Sequence, residues 1–138
     1  MAQIKSRRRV QDYGEVFTAD REVKAMCDML PPEMYQPEKT FLEPAVGEGV
    51  FLLEILRRKF ANCHKREDYS TALASVWGID IQTDNVQKTI DNILELCREY
   101  FNPTKKDVET LTMHIMQGDS VKIMNMIGVV QKGMDTVQ

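Results

Sequence analysis

The sequence predicts an α/β fold: a small parallel sheet of about three strands with flanking crossover helices. Three observations predict it. Short apolar runs alternate with longer amphipathic ones, in the order helix, then strand and helix three times over, the last helix short. A glycine pair, Gly47 and Gly49, separates the first apolar run from a clean helical pattern. Each predicted strand also closes on an acid, namely Glu43, Asp80 and Asp119. In a parallel sheet, ligands bind outside that carboxyl end.

The elements follow in order. Residues 1–15 are polar and read as a basic, flexible N-terminus, with Lys5, Arg7, Arg8 and Arg9 clustered there. A solvated end explains that cluster; phosphate contact is the alternative. Residues 16–138 read as a partial domain. Thr18 is a good N-cap for a first helix, with Asp20 and Glu22 in its first turn. Val23, Met26, Cys27 and Leu30 recur at helical spacing, and Pro31-Pro32 stop the helix. Residues 40–46 read as a buried strand and 50–60 as a helix, with Leu52, Leu53, Leu56 and Phe60 on one face. The helix dipole suffices to explain Arg57-Arg58-Lys59 at its end. Residues 61–71 read as a loop and 72–81 as a second strand broken late by Gly78. Thr83 or Asp84 caps a helix with the stripe Val86, Ile90, Ile93, Leu94, Cys97 and Phe101. Lys105 to Asp107 reads as a connector and Thr112 to Met116 as a third strand. Residues 121–127 read as a helical turn or two, and 134–138 as the start of a fourth strand.

The composition excludes several classes. The chain has 138 residues, 43% of them hydrophobic, which suits one domain with a small core. A net charge of -3 is a poor footprint for a stand-alone nucleic-acid binder. Cys27, Cys63 and Cys97 are far apart and show no C-x-x-C pair, so neither a metal site nor a disulfide framework is expected. The neighbours Cys63 and His64 are adjacent in sequence, whereas a nucleophile and its base must be neighbours in space. Without a signal peptide or a long apolar span, the chain reads as cytoplasmic, with no membrane partner.

The acids and the glycine turn together describe a pocket for an adenosine. Glycines let a ligand approach the backbone without a Cβ in the way. Asp80 is placed to accept from two ribose hydroxyls, and Asp119 from an exocyclic amine. A dinucleotide fingerprint would need a third glycine where Leu52 stands, and an acid about 20 residues on. Glu43, a carboxylate inside the turn, would repel a pyrophosphate and suit an ammonium. S-adenosylmethionine has the adenosine, lacks phosphate and carries the ammonium, so this chemistry selects it over NAD.

Four segments then resemble the cofactor-binding part of the N6-adenine DNA methyltransferases of restriction-modification systems. FLEPAVGEGVF is similar to their D/E-P-x-x-G-x-G-x-F motif, and YGEVFTADREVKAMCDML to their G-x-V-[FY]-T-P segment. VWGIDIQ resembles their ribose motif and IMQGDSV their adenine motif. The resemblance covers about residues 10–122. It implies a Rossmann-like S-adenosylmethionine-dependent methyltransferase fold, here incomplete. It implies that Thr18 approaches the methionine end, Glu43 holds the ammonium, and Ala45, Gly47 and Gly49 line the turn. Phe51 would support the wall, Asp80 hold the ribose, Ile81 pack on the adenine, and Asp119 bind its amine with Ser120 beside it. Ala19 departs from the family, which usually has proline there.

The family's chemistry also needs a [DNS]-P-P-[YFW] motif to hold and stack the flipped base. Leu30-Pro31-Pro32-Glu33 lacks the acceptor and the aromatic, and Asn102-Pro103-Thr104 lacks the second proline. No catalytic residue is therefore assigned. GMDTVQ resembles the strand that leads into that motif in the family. The expectation is a cofactor-binding portion, inactive alone, that meets DNA only within a larger assembly. A partner chain would supply the catalytic motif and target recognition; homo-oligomers are also possible. The alternatives are a non-catalytic cofactor-binding or interaction module and, less favoured, an NAD-type domain.

Overall fold

The computed structural model describes residues 20–123 and 125–126, together with two short strand segments, β1 (Gln3–Ile4) and β2 (Val16–Phe17), paired antiparallel. The N-terminal stretch read as flexible therefore contributes one strand of a two-stranded ribbon. The rest of residues 1–15, with the basic cluster, lies outside the described residues, as do Thr18 and residues 127–138.

The main sheet has three parallel strands, β3 (Phe41–Glu43), β4 (Val76–Asp80) and β5 (Ile115–Gln117), in the order β3-β4-β5. Phe41 is paired with Val76, Leu42 with Trp77, Gly78 with Ile115, and Ile79 with Met116. Five helices connect and flank it: α1 (Asp20–Asp28), α2 (Val50–Phe60), α3 (Arg66–Ala74), α4 (Thr83–Cys97) and α5 (Lys105–His114). A last helical segment, α6, occupies 120–123 and 125–126. The α/β class and the three parallel strands are as the alternation predicts, and the arrangement is compatible with a Rossmann-like fold.

Helix α2 starts and stops where its pattern says. Leu52, Leu56 and Phe60 enter the core beside Val76, Ile90, Ile93, Leu96, Leu111 and Ile115. Gly78 does not break its strand. A Cβ there would lie 3.0 Å from Val46 and 3.2 Å from Leu52, so glycine lets α2 press onto the sheet. The first strand is shorter than 40–46, but the ladder continues, since the Val46 amide donates to the Ile79 carbonyl at 2.9 Å.

Two expectations are corrected. Residues 61–71 are not simply a loop, and the second strand does not begin at Ala72, because α3 occupies 66–74. The Asp68 carboxylate accepts from the His64 and Lys65 amides and starts that helix. Lys105 to Asp107 is no connector, and Thr112 no strand residue; both lie in α5. Thr104 and Asp107 cap each other reciprocally, Thr104 N–H to Asp107 at 2.9 Å and Asp107 N–H to the Thr104 hydroxyl at 3.1 Å. Within it Thr110 and Thr112, the second of which was expected to open the strand, turn their hydroxyls back to the Lys106 and Val108 carbonyls. At the fourth helix, Gln82 is the N-cap and Thr83 the first helical residue, and the helix ends at Cys97, short of Phe101.

The run Arg57-Arg58-Lys59 does more than answer a dipole. Arg58 donates to Glu54 at 2.9 Å, pairs with Asp28 at 2.7 Å and reaches the Lys24 carbonyl, fastening α1 to α2. Lys59 is fully buried. Its ammonium donates to the carbonyls of Gln36, Pro37 and Lys39 and lies over the Phe41 ring. Burial pushes it down to about 8. No described helix is long and apolar enough to cross a membrane.

Candidate functional site at the carboxyl rim of the sheet

The rim gathers what the strands end on. Glu43 is the last residue of β3 and Asp80 the last of β4, while Asp119 stands two residues past β5. The turn after β3 is built on Gly47 (φ 59) and Gly49 (φ 89), both in the left-handed region that favours glycine. At Gly49 a Cβ would stand 2.8 Å from the Thr89 side chain, so close packing on α4 demands glycine as well.

Asp80 holds this turn to the sheet. Its carboxylate accepts from the Gly47 amide at 2.9 Å, the Gln82 amide at 2.8 Å and the Asn85 side-chain amide at 3.2 Å. An ionised carboxylate offers about four acceptor positions, so roughly one remains for a further donor. The expectation of two ribose hydroxyls on Asp80 requires one of these bonds to exchange. The Asp80 carbonyl also receives the Gly118 amide at 2.9 Å, which draws the end of β5 to the same point.

Three residues of α4 complete the brace, and the sequence reading passed over them. Asn85 reaches Asp80, the Thr89 hydroxyl donates to the Gly47 carbonyl at 2.9 Å, and Asn92 donates to the Glu48 carbonyl at 3.0 Å. They stand at i, i+4 and i+7, a polar stripe beside the apolar one. That helical spacing was the available signal.

Glu43 accepts from the Ala45 amide at 3.1 Å. Burial pushes its carboxyl up, against the pull of that hydrogen bond. Phe51 and Glu43 share the wall of a groove of about 350 Å³, lined otherwise by Met26, Cys27, Leu30, Phe41, Leu42, Leu52 and Ile55. Glu43 is the one carboxylate in that lining. Ile81 follows Asp80 and is half exposed on the rim. Asp119 accepts from the Val121 and Lys122 amides at 3.0 and 3.2 Å, which makes it the N-cap of α6, with Ser120 in the first turn. Thr18, expected at the methionine end, lies outside the described residues.

Burial, then Asp68, push the Cys63 thiol up to about 11, and its Sγ donates to the Lys59 carbonyl. Cys27 and Cys97 are buried. Among the described residues no cluster of three His, Cys, Asp or Glu side chains could hold a metal. Comparison with family models, with curated proteins and with solved structures finds no match to this chain.

Proposed function

We propose that the chain is the S-adenosylmethionine-binding portion of a DNA adenine-N6 methyltransferase of a restriction-modification system. The observation that supports this most is the placement of one carboxylate, Glu43, beside a bare glycine turn, with Asp80 ending the next strand and Asp119 two residues past the one after it. A phosphate ligand would meet Glu43 as a like charge; an amino acid's ammonium would meet it as a partner. Leu52, where a dinucleotide fingerprint carries its third glycine, is fully buried against Gly78, which argues against NAD. In this reading Glu43 takes the ammonium, Ala45, Gly47 and Gly49 leave room for the ligand backbone, and Asp80 takes a ribose hydroxyl. Asp119 takes the adenine amine, with Ile81 against the ring. These 138 residues contain no acceptor–proline–proline–aromatic motif for a flipped base, so this reading assigns methyl transfer and the contacts to DNA to residues outside them.

Calorimetry tests this. S-adenosylmethionine or S-adenosylhomocysteine should bind, and Asp80→Ala should weaken binding by roughly 1.5–3 kcal/mol, the value of a hydrogen bond to a charged group. Binding of NAD with neither methionine derivative bound would overturn the reading. A radiolabel assay on mixed genomic DNA should find no transfer by the pure chain.

A second reading has its own observation. The hydrogen bonds that Asp80 and Asp119 make within the chain already account for both acids structurally. A module that keeps the fold and binds no cofactor would look the same. It predicts that no adenosine ligand binds at all, while Asp80→Ala still lowers stability.

A further inference from the structure

The two oxygens of the Asp80 carboxylate are engaged unequally. Each oxygen of an ionised carboxylate offers about two acceptor positions. Oδ1 takes the Gln82 amide at 2.8 Å and the Asn85 side-chain amide at 3.2 Å, so its positions are filled. Among the described residues Oδ2 takes only the Gly47 amide, at 2.9 Å, which leaves a position there. The bond to Asn85 is buried and the bond to Gly47 partly open, so the remaining acceptor lies on the side of the glycine turn. Asp119 divides its oxygens in a similar way, with Oδ1 receiving both the Val121 and the Lys122 amide.

The filled oxygen is not easily freed. Asn85 is fully buried, at the third position of α4. Four residues on, the buried Thr89 donates to the Gly47 carbonyl, and Asn92 donates to the Glu48 carbonyl. The helix that carries the Asn85 amide is therefore fastened to the very turn whose amide occupies the other oxygen. Withdrawing Asn85 from Asp80 gives up a buried bond to a charged acceptor or unseats α4 from the turn. The Gln82 amide is held by the chain itself, two residues past the carboxylate it meets.

A pair of neighbouring hydroxyls grips a carboxylate by placing one hydroxyl on each oxygen. Asp80 has a place for the first and none for the second. We infer that the rim reads a single hydroxyl of a ribose, at Asp80 Oδ2, and that Asn85 sets this limit by holding Oδ1. The inference rests on the proposed reading of Asp80 as a ribose acceptor and narrows it, since the two hydroxyls expected from the sequence become one. Asn85 acts through the carboxylate, so it is a positioning residue that determines which groups of the ligand are read.

Three ligands test this on the full chain by calorimetry: S-adenosylhomocysteine and its 2′-deoxy and 3′-deoxy analogues. The analogue that lacks the hydroxyl being read should bind at least about tenfold more weakly than the parent, and the other within about twofold of it. In Asn85→Ala, which frees a position on Oδ1, both analogues should fall at least about tenfold below the parent. Asn92→Ala loosens the same helix without touching Asp80 and should keep the wild-type pattern; two weak analogues there would assign the effect to loosening and remove Asn85 from its role. An Asn85→Ala variant that folds and keeps the wild-type pattern would do the same. If Asn85→Ala fails to fold, the wild type still decides. Two weak analogues in the wild type would show that Asn85 yields to a pair of hydroxyls, overturning the inference while leaving the functional reading in place. Two analogues as tight as the parent would show that Asp80 reads no hydroxyl, and overturn it as well. A parent that does not bind would overturn the functional reading and the inference together.

Discussion

The two ends of the sheet are built on different principles. At the amino ends the molecule closes with aromatic packing. Phe60 meets Tyr69, Tyr100 and Phe101 at centroid distances of 5.1–5.6 Å, Arg66 lies over Phe101, and Lys59 is spent on three carbonyls. At the carboxyl ends the packing is made of polar bonds between a glycine turn, an aspartate and the polar stripe of α4. An apolar floor resists water and adapts little. A polar rim holds its shape through directional bonds, which fix the turn against the sheet. The difference teaches that opposite ends of the same three strands are held by different forces, and in the proposed reading recognition belongs to the polar end.

Substitutions at each end should separate the two roles. The largest effect is expected at the floor. Lys59→Met leaves three carbonyls without their donor and should lower stability by about 2–4 kcal/mol in urea unfolding. Retention of wild-type stability would show that water reaches these carbonyls. Gly49→Ala comes next, because a positive φ and the 2.8 Å approach to Thr89 act together; about 1–3 kcal/mol is expected, with ligand binding lost as well. A variant that keeps both would show the turn to be deformable.

Asp107 ranks third. Burial raises its carboxyl, but the Thr104 amide, Arg66, Ser70 and the Thr104 hydroxyl together hold it below the usual aspartate value. Its folded value therefore lies under its unfolded one. The stability it contributes is fully present above about pH 4 and is lost as pH falls through the folded value. Asp107→Asn should flatten that part of the acid unfolding curve, and an unchanged acid limb would remove Asp107 from the account. The smallest effect is at Glu43. Its carboxyl sits above the usual glutamate value, so affinity for an ammonium-bearing ligand should rise with pH as it ionises and level off above it. Glu43→Gln should abolish that slope in calorimetry across pH 4–7.

Much of the rim could be read from residues alone, because its signals are local: a glycine pair, acids at strand ends and an amphipathic run from Val50 to Phe60. The floor was less legible. Tyr69, Tyr100 and Phe101 meet Phe60 only after folding, and α3 hides behind charged first-turn residues whose one cue is Asp68 capping back onto His64 and Lys65. Helix α5 was less legible because Lys105 to Asp107 reads as a charged connector and β-branched Thr112 as a strand residue, until Thr104 and Asp107 cap each other and start the helix. Asn85, Thr89 and Asn92 were passed over since their partners are backbone groups some 40 residues away, or the carboxylate of Asp80.

The buried ammonium of Lys59 makes the native chain a reporter of its own opening. An acylating reagent needs the free amine and a path to it, and the segment 36–39 blocks that path as long as its carbonyls are engaged. Surface amines such as Lys88, 60% exposed, should label within minutes, while Lys59 should label only in molecules that have lifted that segment. Mass spectrometry of timed samples would then count, molecule by molecule, how often the floor comes undone.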